Sequence, residues 1–367
     1  MLKWNLKKAF LYLFLIMIVS YTIGFFLLPK NHFLRQFNPI TGKKNFQPLD
    51  QKKELLLEGV DTITISTDSP DLQLFVTDGP QINAHLYHNY ILKDGTLVYD
   101  FILEQTGSSV KLEVKKNTNF VFFQSDTKLT VFLPSSFKGK LNVATGSADC
   151  ELPQITELEE FTFQTGSGDL IANSVSAKQI KLTSGSGELE LLNGACEQFL
   201  VTTASGEFTT RSLTATSALM NTASGTFKVI GKFQEFQFKS ASGDLKSDAF
   251  ESQTTRINTA SGELLLHGAP GNVEAETMSG NITLNYFKFG DNITANTLSG
   301  DVKIVIPTNS GFSVSFNSGS GELNLAKEIT NAPKNTVVKR TFQGSFGSGI
   351  NQITINTTSG NAKILNR

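Results

Sequence analysis

The 367-residue chain has little of several residue types that usually mark a chemical site. It contains two cysteines and only four histidines, at positions 32, 85, 88 and 267. Two cysteines are too few for a disulfide-stapled scaffold or for a four-cysteine zinc site. Proline, with ten residues, is too scarce for a Pro-rich stalk. The 32 basic residues nearly balance the 33 acidic ones, so the sequence lacks the basic character of nucleic-acid-binding proteins, and no nucleic-acid partner is predicted.

The segment from Ala9 to Leu28 is a run of 20 residues without a charge. At about 1.5 Å per residue in a helix it spans about 30 Å, which matches the hydrocarbon core of a bilayer. A cleaved signal peptide has a shorter apolar stretch followed by a small-residue cleavage site, and neither is found here. We therefore expect a retained transmembrane helix over residues 9–28 that contacts the bilayer.

The flanking charges predict how this helix is oriented. Lys3, Lys7 and Lys8 precede it on a short segment without acidic residues, and the positive-inside rule then places the N-terminus in the cytoplasm. The expected order is a cytoplasmic tail (1–8), the transmembrane helix (9–28), a polar spacer (29–50) and a large extracellular part. The protein is thus predicted to be a single-pass protein of the cell membrane.

Most of the remaining chain is built from one repeated motif, small-x-Ser-Gly-acid-apolar. Eleven copies recur at intervals of 18–21 residues, except for a last gap of 39 residues. A fixed period of this length is the signature of a repeat architecture. The repeat serines are Ser147, Ser167, Ser186, Ser205, Ser224, Ser242, Ser261, Ser279, Ser299, Ser320 and Ser359.

Apolar residues alternate with polar ones on both sides of each Ser-Gly corner, and this period of two predicts strands. The phase changes across the corner, which favours a bend whose glycine adopts φ > 0. A 19-residue repeat with two strands and a corner has no room for a long helix. Stacked copies form a β-solenoid, in which the Thr or Ser two positions before the repeat serine, and the repeat serine itself, are expected to form internal hydroxyl ladders.

The expected fold is therefore all-β: a single-stranded β-solenoid of about 11–12 coils over residues 141–367, preceded by one transmembrane helix. Residues 51–140 also alternate, as in Thr62–Ser66 and Val110–Val114, and are predicted to be an N-terminal β region that caps the solenoid. Residues 326–350 and the final coil at Thr357 are expected to close the other end.

The chain resembles the bacterial toast-rack family of β-solenoid domains, known by the name "putative adhesin". The resemblance rests on the strand Gly59–Ile65, the Asp71–Leu74 segment, the ladder of Thr-x-Ser-Gly-Asp/Glu corners, and the closing Gly347–Ile350 and Thr357–Gly360 segments. It implies a membrane-anchored member with no established catalytic residues. It also implies an association with cell-envelope stress systems of Gram-positive bacteria, near membrane sensor or inhibitor proteins.

An acidic column is the one candidate binding feature of the repeats. Eight copies carry a carboxylate two positions after the repeat serine, and two readings of this column stay open. It is either a solvated edge that keeps the solenoid soluble, or a track for divalent cations or a cationic ligand, although one carboxylate per coil supplies few of the 6–8 oxygens that Ca²⁺ needs. The residues are Asp149, Asp169, Glu188, Glu207, Asp244, Glu263, Asp301 and Glu322.

Other chemistry is expected to be absent. The sequence has no motif of the common hydrolases, nucleotide-binding proteins or metalloproteases, and no catalytic residue, cofactor or metal site is predicted. His85 and His88 are interpreted as surface residues, Cys150 as a buried thiol, and a Cys150–Cys196 disulfide as an unfavoured alternative. The predicted function is a non-enzymatic extracytoplasmic interaction module in envelope-stress sensing. The alternatives are an adhesin or cell-wall-binding rod, with wall polymer as partner, and a polysaccharide-acting solenoid enzyme.

Overall fold

The computed structural model describes residues 49–88, 99–116, 127–330 and 334–367. These residues belong to a single unit that the chain forms from Phe46 to Arg367. None of the helices within the described ranges has the length and hydropathy to cross a bilayer. The predicted tail 1–8, the predicted membrane helix 9–28 and nearly all of the predicted spacer 29–50 lie outside the described residues.

The described chain is almost entirely β-structure, as predicted, with one short helix, α1 (Lys327–Thr330). The strands of the first part are β1 (Leu49–Leu56), β2 (Thr62–Thr67), β3 (Asp71–Thr77), β4 (Gln81–His88), β5 (Tyr99–Thr106), β6 (Ser109–Lys116), β7 (Lys128–Pro134) and β8 (Lys140–Thr145). The long central strands are β9 (Cys150–Thr165), β10 (Leu170–Ser184), β11 (Leu189–Thr203), β12 (Phe208–Thr222), β13 (Phe227–Ser240) and β14 (Leu245–Thr259). The last part holds β15 (Leu264–Ala269), β16 (Asn272–Thr277), β17 (Ile282–Tyr286), β18 (Ile293–Thr297), β19 (Val302–Ile306), β20 (Phe312–Leu325), β21 (Thr336–Phe346), β22 (Asn351–Thr357) and β23 (Ala362–Asn366).

Successive repeats pair as parallel strands, which is the arrangement of a β-solenoid. Each strand from β9 to β14 begins three residues after one repeat serine and ends two residues before the next. Equivalent positions face each other, so that Leu189 pairs with both Leu170 and Phe208. Because parallel partners share a face, every apolar column predicted from the sequence becomes a continuous buried row.

Aromatic side chains fill the middle of this interior. Phe208 contacts Phe199 and Phe227 with ring centroids 5.5 Å and 5.6 Å apart, and Phe236 meets Phe250 edge-on at 4.8 Å. All five rings are buried. Tilted and edge-on contacts are favourable geometries for aromatic pairs. Adjacent coils are therefore held together by packing in the core as well as by backbone hydrogen bonds.

The order of coils in space departs from the order in the chain at both ends. At the N-terminal end β2 lies between β6 and β8, so the coil of β6 and β7 is outermost. At the C-terminal end β22 lies between β18 and β20. The final coil at Thr357 is therefore inserted before the coil of Ser320, and the expectation that it closes the solenoid is wrong.

Antiparallel strands cover the outermost coil at each end. β5 pairs with β6, β4 pairs with β7, and β1 adds to β4. At the other end β21 runs antiparallel along β20. An uncovered parallel edge would expose a row of unpaired backbone groups and invite aggregation, so these strands supply the caps that a solenoid of this length needs.

Candidate functional site

In eight of the eleven repeats, the hydroxyl two positions before the repeat serine accepts a hydrogen bond from the N–H of the repeat glycine. Of the other three, Ser184 donates to the carbonyl of Gly187, Thr203 bonds to Thr222, and the Thr145 hydroxyl has no partner among the described residues. Thr297 Oγ1 accepts a hydrogen bond of 2.9 Å from the N–H of Gly300, and Thr222 and Thr357 make the same bond to Gly225 and Gly360 at 2.8 Å. These threonines are buried. The bond caps a turn within one coil. Only the bond between Thr203 and Thr222, at 2.9 Å, joins two of these hydroxyls along the stack within the described chain.

The repeat glycine is required by the spacing of the coils. The repeat glycines do not have positive φ, so the prediction that the corner needs φ > 0 is wrong. A Cβ on Gly262 would lie 1.9 Å from the carbonyl oxygen of Gly243 in the preceding coil, and one on Gly300 would lie 1.9 Å from the oxygen of Gly280. The glycines form a column in which only a hydrogen fits between one coil and the next.

The repeat serines form a second column, and it lies on the surface. All eleven are exposed, whereas the hydroxyl residue two positions earlier is buried in every copy except Ser240, which is half-buried. The predicted internal ladder at the serine position is therefore wrong. The serine N–H donates to the preceding coil instead, as from Ser224 to the carbonyl of Ala204 at 3.0 Å, and its hydroxyl faces solvent.

The eight predicted acidic residues do line up in one column, which is interrupted on three coils by Thr226, Asn281 and Asn361. Their aspartates accept hydrogen bonds from the backbone of the neighbouring coil. Asp149 Oδ1 accepts from the N–H of Asp169 at 2.9 Å, and Asp169 Oδ1 accepts from Glu188 at 2.7 Å. Asp244 accepts from Glu263 at 2.8 Å and Asp301 accepts from Asn361 at 2.8 Å. One lone pair of each aspartate is thus used in holding the stack together.

Three of the four glutamates of the column make ion pairs. Glu207 lies 3.3 Å from Lys228, Glu263 lies 3.2 Å from Lys246, and Glu322 lies 3.5 Å from Lys339. The described residues contain no cluster of three or more His, Cys, Asp or Glu side chains able to hold a metal ion. The lysines partly neutralise the column, although exposed ion pairs of this kind contribute little to stability. Whether the column binds a cationic ligand stays a prediction.

The column has members that the acidic pattern alone does not show. Asn281 Oδ1 accepts from Asp301 at 2.9 Å and Asn361 Oδ1 accepts from Glu322 at 3.1 Å, so asparagine does the same work as aspartate. The segment Thr67–Leu72 is a further corner with Pro70 in place of glycine, and its Asp71 accepts from Asp149 at 3.3 Å. Burial raises the pKa of Asp71, and the Asp149 N–H opposes that shift. The Thr-x-Ser-x-Asp-Leu spacing was the signal for this copy.

The cysteines and His85 have ordinary environments. Cys150 is buried, Cys196 is half-buried, and both are free thiols, so the disulfide is not formed and the prediction of a buried Cys150 is confirmed. Burial raises the pKa of both thiols, that of Cys196 to about 12. His85 is partly exposed on β4 and contacts the carboxylate of Asp50.

A flat face near the N-terminal end carries the exposed aromatic pair Phe75 and Phe132. These two residues are opposite one another on β3 and β7, their ring centroids are 5.4 Å apart, and 42% and 37% of their surfaces are exposed. The row continues through Asn83 of β4 to Glu54 of β1. We call this surface the N-terminal face, and it includes the parallel row of Lys52, His85, Thr130, Gln73, Glu151 and Ile171.

Two shallow depressions lie on either side of the aromatic pair. The first, of about 520 Å³, is lined by Lys52, Glu54, Asn83, His85 and Phe132. The second, of about 190 Å³, is lined by Phe75 together with Gln73, Glu151, Pro153, Ile171 and Asn173. Phe132 borders the first depression and Phe75 the second, so the pair forms a ridge between them. This face is not among the sites predicted from the sequence, although the apolar residues Phe75 and Val76 break the alternation of β3 there.

The family model Toastrack DUF4097 matches the chain twice, over residues 60–234 and 231–365. The chain belongs to the toast-rack family. The two matches together cover the solenoid and most of its N-terminal cap, so the predicted resemblance is confirmed. A comparison with curated proteins found no match.

Several solved structures are similar to the chain at low sequence identity. A "putative adhesin" from Parabacteroides merdae is 12% identical, with a TM-score of 0.43, and covers 71% of this chain and 97% of its own. A "putative lipid binding protein" from Parabacteroides distasonis is 16% identical, with a TM-score of 0.39, and covers 87% and 97%. A "putative cell adhesion protein" from Clostridium sporogenes is 12% identical, with a TM-score of 0.21, and covers 88% and 100%. With TM-scores below 0.5, these likenesses carry no argument about function.

Proposed function

We propose that this toast-rack protein is a non-enzymatic extracytoplasmic interaction module. The observation that supports the proposal is that the corner residues of the repeats have structural roles that differ from those of the outward-facing strand residues. The buried hydroxyls cap the turn within a coil, the repeat glycines allow neighbouring coils to approach closely, and the corner aspartates accept hydrogen bonds from the next coil. The outward positions of the strands lie in rows across the coils, where some side chains pair between coils, as Lys181 does with Glu160 at 2.8 Å, and others face solvent. Such a scaffold suits binding to an extended partner, because it presents side chains at fixed spacing.

The finer proposal places this module at the cell membrane, as part of cell-envelope stress sensing in a Gram-positive bacterium. The uncharged run at residues 9–28 supports an anchor, and membrane sensor or inhibitor proteins are the proposed partners. In this proposal the signal passes through such a partner.

In-cell cross-linking of the full-length protein tests this proposal. Cross-linked partners are identified by mass spectrometry from cells grown with and without a membrane-active antibiotic. The proposal expects membrane sensor or inhibitor proteins among the products, in amounts that change with the drug. Cross-links only to wall polymer or to foreign surface molecules, unchanged by the drug, would contradict the stress role.

The second candidate function is an adhesin or cell-wall-binding rod, and the N-terminal face favours it. The two exposed aromatic rings stack there and offer an apolar surface that a partner can cover. Turnover of polysaccharide would favour the third reading, a solenoid enzyme. Arg211 and Arg256, two basic residues of the repeats, lie on different coils, where each is paired with a glutamate.

A further inference from the structure

We propose that the N-terminal face binds an uncharged glycan chain, which lies across strands β1, β4, β7, β3 and β9 over the Phe75–Phe132 ridge. This inference rests on the second candidate function and names its ligand class and its site. Nothing in the repeat motif or in the family assignment points to this face, because its residues lie outside the repeated corners.

The first step of the argument is the aromatic ridge. Phe75 and Phe132 face outward from adjacent strands and stack with an interplanar angle of 25°. Together they leave a continuous apolar surface in water, and covering it on binding is favourable. The C–H faces of sugar rings pack well on such a surface, since the aromatic face carries partial negative charge and the C–H groups carry partial positive charge.

The second step is the polar surround of the ridge. Asn83 and His85 border one depression, and Gln73 and Asn173 border the other. Their amide and imidazole groups both donate and accept hydrogen bonds, as hydroxyl groups do. An apolar platform with a few polar groups at its sides is the composition of a small-ligand site. Here it lies on an open surface without end walls, which suits a chain better than a compact molecule.

The third step is charge, which selects an uncharged ligand. Lys52 lies 4.0 Å from Asp50, and His85 contacts that same carboxylate. Glu151 accepts a hydrogen bond of 3.0 Å from Gln73, and Glu54 adds a further negative charge beside Lys52. Positive and negative groups are therefore interspersed. Because Lys52, Glu54 and Glu151 place both signs of charge on the face, a strongly anionic or strongly cationic polymer would meet repulsion there, whereas a neutral glycan meets none.

Calorimetric titration of the full-length protein with neutral hexasaccharides tests the proposal. The probes are cellohexaose, maltohexaose, mannohexaose and the hexamer of N-acetylglucosamine, the last of which reports on a wall-type glycan. The double variant Phe75→Ala/Phe132→Ala is compared with Phe287→Ala, which removes a similarly exposed ring (52%) from the turn after β17. Thermal melts establish that both variants are folded.

The proposal expects at least one hexasaccharide to bind the wild type and the Phe287→Ala variant equally, with at least 10-fold weaker binding to the double variant. Asn83→Ala is expected to weaken binding as well, although it leaves both phenylalanines of the ridge in place. Failure of all four sugars to bind the wild type would overturn the proposal. Equal binding by the double variant and the control would overturn the site. Neither result would affect the partner proteins found by cross-linking. The proposal of an interaction module is therefore tested separately from the proposal of a glycan site.

Discussion

Replacing Gly262 by alanine is expected to separate two coils. The new Cβ would lie 1.9 Å from the carbonyl oxygen of Gly243, whereas a relaxed carbon–oxygen contact needs about 3.3 Å. The coils must therefore move apart by roughly 1.4 Å at this corner. That shift would break the bonds on either side of it, from Ser261 N–H to Ala241 and from Leu245 N–H to Glu263, both 3.0 Å long. Two lost hydrogen bonds and the residual overlap together cost about 3 kcal/mol.

Hydrogen exchange and urea unfolding measure this effect. Peptides covering residues 241–264 should exchange faster in Gly262→Ala, and the unfolding midpoint should fall. Gly290→Ala is the control, because a Cβ there meets nothing within 4 Å, and we expect it to change stability by less than about 0.5 kcal/mol. If Gly262→Ala and Gly290→Ala unfold alike, the claim that coil spacing selects glycine is refuted.

Three further predictions concern single side chains. Thr297→Val should lower the unfolding free energy by about 1–2 kcal/mol, because the Gly300 N–H loses its acceptor inside the corner, and Thr297→Ser should restore stability. Asp301→Ala should speed hydrogen exchange at the Asn361 amide, whereas Asp301→Asn should leave it protected; equal exchange in both variants would contradict the hydrogen-bond role. Cys196, whose pKa burial raises from 9.0 to about 12, should hold about 1,000-fold less thiolate at pH 8 than an unshifted thiol. Alkylation of Cys196 in the folded protein should thus be slow and should become fast in urea, and rapid labelling without urea would contradict the raised pKa.

The sequence predicts the fold of the repeats because each coil carries its own complete pattern. Alternation fixes which side chains point inward, and the period fixes the number of residues per coil. The buried rows through Leu170, Leu189 and Phe208 follow directly from these two facts. The corner hydroxyls and the acidic column could also be placed from spacing alone.

The sequence does not predict which coil lies beside which. Every coil has the same pattern of buried and exposed positions. The sequence of β22 therefore fits equally well between β18 and β20, where it lies, and at the end of the solenoid. The role of the repeat glycines could not be predicted from the sequence for a related reason. Positive φ is a property of one residue, but the close approach of Gly262 to Gly243 exists only between coils. The corner at Pro70 was missed because the proline breaks the Ser-Gly signature while keeping the hydroxyl and the aspartate.

Site-specific photo-cross-linking in cells is the most direct test of the central claim, which is that the faces of the solenoid bind partners while its corners hold the coils together. A benzophenone amino acid is placed in turn at Phe75 and Phe132 on the N-terminal face, and at the exposed corner residues Ser205 and Ser261. Covalent products of higher mass from the face positions, with none from the corners, are the result expected. Products from the corner positions alone would contradict the claim.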